Sequence, residues 1–177
     1  MFTIAVVGHS NLPVFSCWEG VHVEIYKEKG ASLNDLVERK KFGLDLFLKH
    51  WNCVILFLGG NDLNANTDAD TVYNLFVDAC NNLQYDWLLV TDIEARWYNR
   101  SRAVKYNVTT EQYTVLQKVV NKKLRRHAKR DPHTRLVHIP PGYMIESEDG
   151  IHLSPSGSEQ LIHAYKKIIH DLTTSTA

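Results

Sequence analysis

The chain has 177 residues, of which 44% are hydrophobic, and its 20 Lys and Arg balance 20 Asp and Glu. This length and apolar content predict one globular domain over residues 1–177 with a substantial core. The zero formal net charge provides no overall field that would favour nucleic acid or an acidic partner. Any basic surface must therefore be local.

The cysteines and the first residues of the sequence indicate the cellular compartment of the protein. Cys17, Cys53 and Cys80 form an odd, widely spaced set, which favours buried free thiols in a reducing environment over disulfides or a metal site. The sequence opens into "FTIAVV" without a basic segment or cleavage site, and no apolar run approaches the ~18 residues of a membrane-spanning helix. We therefore expect a cytoplasmic protein, unless a targeting segment precedes this chain.

Five short β-rich runs are separated by longer stretches with helical patterns. Four of the runs are almost continuously apolar, as is typical of strands covered on both faces of a parallel sheet. Residues 21–26, "VHVEIY", alternate between apolar and polar side chains instead, which predicts an edge strand. The four apolar runs are 3–7, 53–58, 87–90 and 135–139.

The intervening stretches have the periodicity of amphipathic helices. Gly43 is expected to break or bend the first of them, and Pro155 suits a first helical turn capped by Ser154. The predicted helices are 32–50, 69–82, 110–130 and 156–172. The apolar stripes of the last two consist of Tyr113, Leu116, Val120 and Leu124, and of Leu161, Tyr165, Ile168 and Leu172.

This alternation predicts a three-layer α/β/α sandwich around a five-stranded parallel sheet with the flavodoxin-like strand order 2-1-3-4-5. In such sheets, ligands bind at the carboxyl ends of the strands, near the point where the strand order reverses. Functional residues should therefore follow directly after the apolar runs.

Polar residues do follow several predicted strands. Ser10 follows the first strand, Gly30 the second and Asn61 the third, while "EDGIHLSPSG" supplies Asp149 and His152 just before the last helix. Because the carboxyl ends of parallel strands share one edge, we expect these residues to converge there.

The side chains of Ser10, His152 and Asp149 are of the types that can act together in nucleophilic catalysis. Gly8, Ser10 and Asn11 are turn formers, so Ser10 by itself could be a simple turn residue. A serine hydroxyl becomes a nucleophile beside a neutral imidazole that a carboxylate orients, and His152 and Asp149 can supply both groups.

An ester carbonyl attacked by a serine develops negative charge on its oxygen, and hydrogen-bond donors fixed around that oxygen stabilise the charge. The backbone N–H groups of Ser10 and Gly30 and the side-chain amide of Asn61 are the candidate donors. Gly30 and Gly60 lack a Cβ, which allows backbone or substrate to approach closely. Gly20 competes with Gly30, but it precedes the second strand and should lie at the opposite edge of the sheet.

Four blocks of the sequence resemble those of the SGNH (GDSL-type) hydrolases, in order and across nearly the whole chain. They are "VVGHSN", "KGASLNDL", "LFLGGNDL" and "DGIHLSPSG". The resemblance implies a serine esterase in which Ser10 is the nucleophile, Asp149 and His152 complete the triad, and Ser10, Gly30 and Asn61 form the oxyanion hole. The other histidines have no ligand-like spacing with carboxylates or cysteines, so no zinc site is predicted, and the mechanism requires no metal or cofactor.

One residue departs from the family pattern. Families of this type usually carry aspartate immediately before the serine, where this chain has His9. His9 is interpreted either as a surface residue at the mouth of the pocket or as a second titrating group that tunes the serine. Asp62, beside Asn61, is predicted to be a loop or capping residue, and Asn61 itself could merely stabilise a loop.

The chain length, "GASLNDL" and "HLSPSG" further resemble the esterase modules encoded by some non-LTR retrotransposons, which are similar to platelet-activating-factor acetylhydrolases. This narrower resemblance implies a domain of a larger protein that also handles nucleic acid, with a lipid or another ester as its ligand.

Two segments are candidate contact surfaces. Residues 122–130, "KKLRRHAKR", form either a solvated helix end or a contact for anionic lipid or nucleic acid. Residues 94–107 mix aromatic and basic side chains, concentrated in 96–106, in what we predict to be a loop over the site. That loop could close a substrate pocket, touch a membrane or mediate dimerisation, so monomer and homodimer both remain open.

The sequence thus supports two functional hypotheses. The first is a serine esterase that acts on an acyl lipid or a small acyl ester through an acyl-enzyme intermediate. The second is a weakly active or inactive module of the same fold that binds lipid or nucleic acid within a retrotransposon protein. A dinucleotide-binding site is excluded, because "GHSNLP" lacks the glycine pattern that seats a pyrophosphate.

Overall fold

The computed structural model describes residues 1–139 and 149–175 of the chain. Five parallel strands form one sheet in the order β2-β1-β3-β4-β5, which confirms the predicted topology. The strands are β1 (Phe2–Gly8), β2 (Val21–Lys27), β3 (His50–Phe57), β4 (Gln84–Thr91) and β5 (Thr134–Val137). The helices are α1 (Leu33–Val37), α2 (Asp45–Leu48), α3 (Ala69–Asn81), α4 (Arg100–Tyr106), α5 (Thr110–Arg130) and α6 (Pro155–Ser175).

The sheet is buried on both faces, which accounts for its continuously apolar strands. Alternate residues of β1 and β3 pack on opposite sides, so that Val54 belongs to one apolar cluster and Ile55 to the other. Helices α1, α3 and α5 contribute to the first cluster, and α6 contributes to the second. The arrangement is the predicted three-layer sandwich.

Two helical predictions need correction. The stretch 32–50 is not one helix, because α1 ends at Val37 and the backbone turns left-handed at Arg39 and Lys41, with φ of 53° and 63°. The chain therefore breaks before Gly43 and becomes helical again only in α2. In α6 it is Ile169 that is fully buried in the core, whereas the predicted stripe residue Ile168 is only partly buried.

The sheet register brings three loops to one place. Gly8, at the end of β1, pairs with Lys27 of β2 on one side and with Phe57 of β3 on the other. The loops that carry Ser10, Gly30 and Asn61 therefore leave the sheet from adjacent strand ends, at the point where the strand order reverses.

The cysteines and the lengths of the helices can be compared with the predictions from the sequence. Cys53 and Cys80 are buried free thiols as predicted, whereas Cys17 is free but exposed. Within residues 1–139 and 149–175, no helix combines the length and apolar character needed to cross a membrane.

Candidate active site

Ser10, His152 and Asp149 come together at the carboxyl edge of the sheet. The Oγ of Ser10 lies 3.1 Å from Nε2 of His152, although the two residues are 142 positions apart in the chain. On the other side of the ring, Nδ1 of His152 lies 2.5 Å from Oδ2 of Asp149. The three predicted side chains therefore form one continuous hydrogen-bonded chain.

The short segment before α6 holds Asp149 and His152 in this arrangement. The Oδ1 of Asp149 accepts hydrogen bonds from the backbone N–H groups of Ile151 and His152, at 2.7 and 2.8 Å. Burial by itself raises the pKa of Asp149, but these donors and the His152 side chain outweigh it and lower the pKa to about 2. An ionised Asp149 can only accept, so in the neutral imidazole of His152 the proton lies on Nδ1 and Nε2 can accept from the Ser10 hydroxyl.

Asn11 joins the serine loop to the histidine loop. Its Nδ2 donates to the carbonyl of Ile151 at 2.8 Å, and its Oδ1 accepts from the N–H of Leu153 at 2.9 Å. These two bonds hold the backbone on both sides of His152. The sequence indicates only that Asn11 is a turn former, and nothing in its pattern reveals that its partners lie beyond position 150.

Asn61 lies in a short 3-10 helix, Gly60–Asp62, that follows β3. Its Nδ2 donates to the carbonyl of Ala31 at 2.8 Å, and its Oδ1 accepts from Nη1 of Arg96 at 3.0 Å. Gly30, which directly precedes Ala31, is exposed and has φ of 71°, a conformation that favours glycine. The structure therefore joins Asn61 to the Gly30–Ala31 turn, and the role of the Ser10 and Gly30 N–H groups as donors remains a prediction.

A buried ion pair lies beneath this edge of the sheet. The Oε1 of Glu94 accepts from Nε and Nη2 of Arg96, at 2.8 and 2.5 Å. Burial opposes both charges, but the charge of Arg96 lowers the pKa of Glu94, and Glu94 in turn raises the pKa of Arg96. Both groups are therefore ionised in the folded protein.

His9 is part of this buried region, so its interpretation as a surface residue is wrong. It is 1% exposed, and its ring packs against Phe57 with 5.0 Å between the ring centroids. Its Nδ1 accepts from the N–H of Asn11 at 3.1 Å, and its Nε2 lies 3.3 Å from Oε1 of Glu94. A carboxylate is therefore present next to the serine loop, although it comes from the segment after β4. The tuning of Ser10 by His9 remains a prediction.

The predicted loop 94–107 differs from expectation in two ways. Its second half is helix α4, and Arg96 and Tyr98 are buried, which removes them from any surface contact. The Trp97 side chain is half exposed, and the backbone N–H of Trp97 donates to the carbonyl of Gly150 at 2.7 Å. A signal for the buried pair was present in the sequence, because residues two apart in an extended segment, such as Glu94 and Arg96, point to the same side.

Neighbouring residues have structural roles. The carboxylate of Asp62 accepts from the N–H groups of Leu33 and Asn34, at 2.8 and 3.3 Å, which confirms it as a capping residue. A Cβ added to Gly60 would lie 2.5 Å from Nη2 of Arg96, so the absence of a side chain there accommodates the ion pair. Gly20 lies in the turn before β2, at the opposite edge of the sheet, as expected.

The basic segment 122–130 forms the last turns of α5. Most of its cationic side chains are exposed, and Lys123 pairs with Asp70 at 2.6 Å. Its contact with anionic lipid or nucleic acid remains a prediction.

This sheet order, with these loops at its carboxyl edge, is the α/β fold of the SGNH (GDSL-type) hydrolases, as solved structures with the same fold establish. One is a carbohydrate acetylesterase from Sinorhizobium meliloti, with a TM-score of 0.71 and 16% identity over 97% of this chain and 100% of that one. A carbohydrate esterase family 3 protein from Talaromyces cellulolyticus has a TM-score of 0.71 and 12% identity, and each chain is covered completely. A member of the lipolytic G-D-S-L family from Veillonella parvula has a TM-score of 0.66 and 13% identity, covering 95% of this chain and 98% of that one.

The sequence itself gives no such match. No protein-family model matches the chain, and no curated protein matches it. At these identities the solved structures define the fold of the chain, and its activity has to be argued from the site.

Proposed function

We propose that the protein is a serine esterase that hydrolyses carboxylic esters through an acyl-enzyme intermediate. The observation that carries the proposal is the hydrogen-bonded chain from Ser10 through His152 to Asp149. This geometry supports the proposal, because it has the order of contacts in which a nucleophile, a base and an orienting carboxylate carry out acyl transfer.

The reaction follows from the positions of these groups. As the Oγ of Ser10 attacks the ester carbonyl, Nε2 of His152 takes the hydroxyl proton, and the negative charge that develops on the carbonyl oxygen is stabilised by Asn61 with the backbone N–H groups of Ser10 and Gly30. His152 then gives the proton to the departing alcohol, which leaves an ester between the acyl group and Ser10. A water molecule that gives a proton to His152 then attacks that ester, and His152 passes the proton to the Oγ of Ser10 as the acid leaves and the serine is regenerated.

The fold relatives guide the choice of substrate. Two of them are described as carbohydrate esterases and one as a lipolytic protein. We accordingly propose a short acyl ester, with an acyl lipid as the alternative, and a series of p-nitrophenyl esters of increasing acyl length would distinguish the two.

The test is hydrolysis of p-nitrophenyl acetate by the wild-type protein and by Ser10→Ala. We expect Ser10→Ala to lose turnover by at least about 10⁴-fold, as serine-triad enzymes do, with nearly unchanged melting temperature. Ser16→Ala, which removes an exposed hydroxyl six positions along the same loop, is the matched control and should retain activity. Equal turnover by Ser10→Ala and wild type, or no turnover by wild type, would contradict the proposal and favour the binding module.

A further inference from the structure

Three parts of the site meet at a single buried carboxylate. The Oε1 of Glu94 lies 3.3 Å from His9, which precedes the candidate nucleophile, and 3.5 Å from Nδ2 of Asn11, which holds the histidine loop. The same oxygen accepts two hydrogen bonds from Arg96, and Arg96 reaches Asn61. Glu94 thus connects the loops that carry the serine, the histidine and the asparagine.

Arg96 determines which way the amide of Asn61 faces. A guanidinium has only N–H donors, so the group that Nη1 of Arg96 contacts must be the amide oxygen and not the amide nitrogen. The carbonyl of Ala31 requires the same orientation, because it can only accept and it faces Nδ2. One N–H of the amide is occupied by Ala31, and the second N–H is the one that can reach a ligand.

Side chains of α5 hold the backbone that carries Glu94. The carbonyl of Glu94 accepts from the hydroxyl of Tyr113 at 2.7 Å, and Asn121 bonds both the N–H and the carbonyl of Ile93, at 2.8 and 3.0 Å. Nη1 of Arg96 also donates to the hydroxyl of Tyr98 at 3.3 Å. Since these partners are buried, the guanidinium has little freedom to move away from Asn61.

We infer that Arg96, held by Glu94, is a positioning residue that orients Asn61 so that its second amide N–H meets the negative charge developing on the substrate carbonyl. This inference rests on the esterase function proposed above. Arg96 does not touch the substrate, and its effect on the reaction passes through Asn61. A fixed donor is worth more in the transition state than one that must rotate into place, because its reorganisation is already complete.

The test removes the Arg96 bond to Asn61 without leaving a buried charge. Arg96→Met alone would strand the Glu94 carboxylate, so it is combined with Glu94→Gln, which keeps the shape of the side chain and removes its charge. We expect this double variant to lower kcat for p-nitrophenyl acetate by about 10- to 100-fold, with KM little changed. Arg135→Met is the control, because Arg135 is an exposed arginine of β5 outside the candidate contact segments, and it should leave both constants unchanged.

A double-mutant cycle with Asn61→Ala separates positioning from a general structural effect. If Arg96 acts through Asn61, adding the Glu94→Gln/Arg96→Met pair to Asn61→Ala lowers kcat little further. The inference is overturned if the two substitutions lower kcat by the same factor in the wild-type protein and in Asn61→Ala. It is also overturned if they leave kcat at the wild-type value, or if Asn61→Ala alone does not change kcat.

Arg96→Lys provides a second variant if the double variant does not fold. The lysine keeps a positive charge for Glu94, but its single nitrogen cannot also reach Asn61 as the forked guanidinium does. It should therefore fold and show the same loss of kcat, and wild-type kcat in this variant would overturn the inference. Failure of the esterase proposal would be seen separately, as equal turnover of p-nitrophenyl acetate by wild type and Ser10→Ala.

Discussion

The site contains two pairs of a carboxylate with a basic side chain, and they differ in exposure. The Asp149 and His152 side chains are 26% and 45% exposed, whereas those of Glu94 and Arg96 are 1% and 4% exposed. The exposed pair contains an imidazole, which can gain and lose a proton near neutral pH, while the buried pair contains a guanidinium, which stays charged. A carboxylate paired with a basic side chain can thus permit proton transfer where it is partly exposed and fix a geometry where it is buried.

The largest expected effect comes from breaking the buried pair. Arg96→Met leaves the Glu94 carboxylate buried without its principal partner, and we expect a loss of about 3–5 kcal/mol in the free energy of unfolding. Asp149→Asn is the comparison variant, because the oxygen of the new amide can keep both backbone hydrogen bonds while the bond to His152 is lost, and it should cost less, about 1–2 kcal/mol. Urea unfolding of both variants measures the difference, and equal losses would contradict the contrast between the pairs.

A smaller loss of stability is expected when an added side chain crowds Glu94 and Arg96 without removing either of them. The Cβ of Gly60→Ala would lie 2.5 Å from Nη2 of Arg96 and 2.6 Å from Oε1 of Glu94, so these buried groups must shift. We expect about 1–3 kcal/mol of destabilisation together with reduced kcat.

Gly43→Ala is the control for this crowding, since its Cβ would meet only the half-exposed carboxylate of Asp45, which can swing into solvent. Thermal unfolding compares the two variants. If Gly43→Ala proved as destabilising as Gly60→Ala, the loss could not be assigned to the ion pair.

The smallest effect is the pH dependence of the exposed pair. Because the pKa of Asp149 is lowered from 3.8 to about 2 in the folded protein, its ionised form contributes stability that is present above the ordinary pKa and is lost as the pH falls towards 2. Asp149→Asn lacks this contribution. The gap in melting temperature between wild type and Asp149→Asn should therefore be wider at about pH 6 than at about pH 3, and a gap that grows with acidity would show that the sign is wrong.

Much of the fold could be predicted because apolar runs mark strands that are buried on both faces, and the residues that follow those strands share one edge. The candidate triad was predictable for the same reason, together with its resemblance to known blocks. The break after α1 was not, because Arg39 and Lys41 adopt left-handed backbone conformations without glycine or asparagine to signal them.

The burial of His9 and Glu94 could not be predicted from the sequence for a different reason. Charged side chains are usually exposed, and only their partners reveal the exceptions. His9 and Glu94 are buried together, although they come from loops far apart in the chain, so neither residue alone indicates that it lies in the interior.

Covalent labelling by a fluorophosphonate reports directly on whether Ser10 is the nucleophile, since phosphonylation requires a serine hydroxyl activated by its base. We predict that the wild-type protein acquires one label, that peptide mass spectrometry places it on Ser10, and that His152→Ala abolishes the reaction while remaining folded. A folded wild-type protein that stays unlabelled, or that is labelled at another serine, would contradict the account.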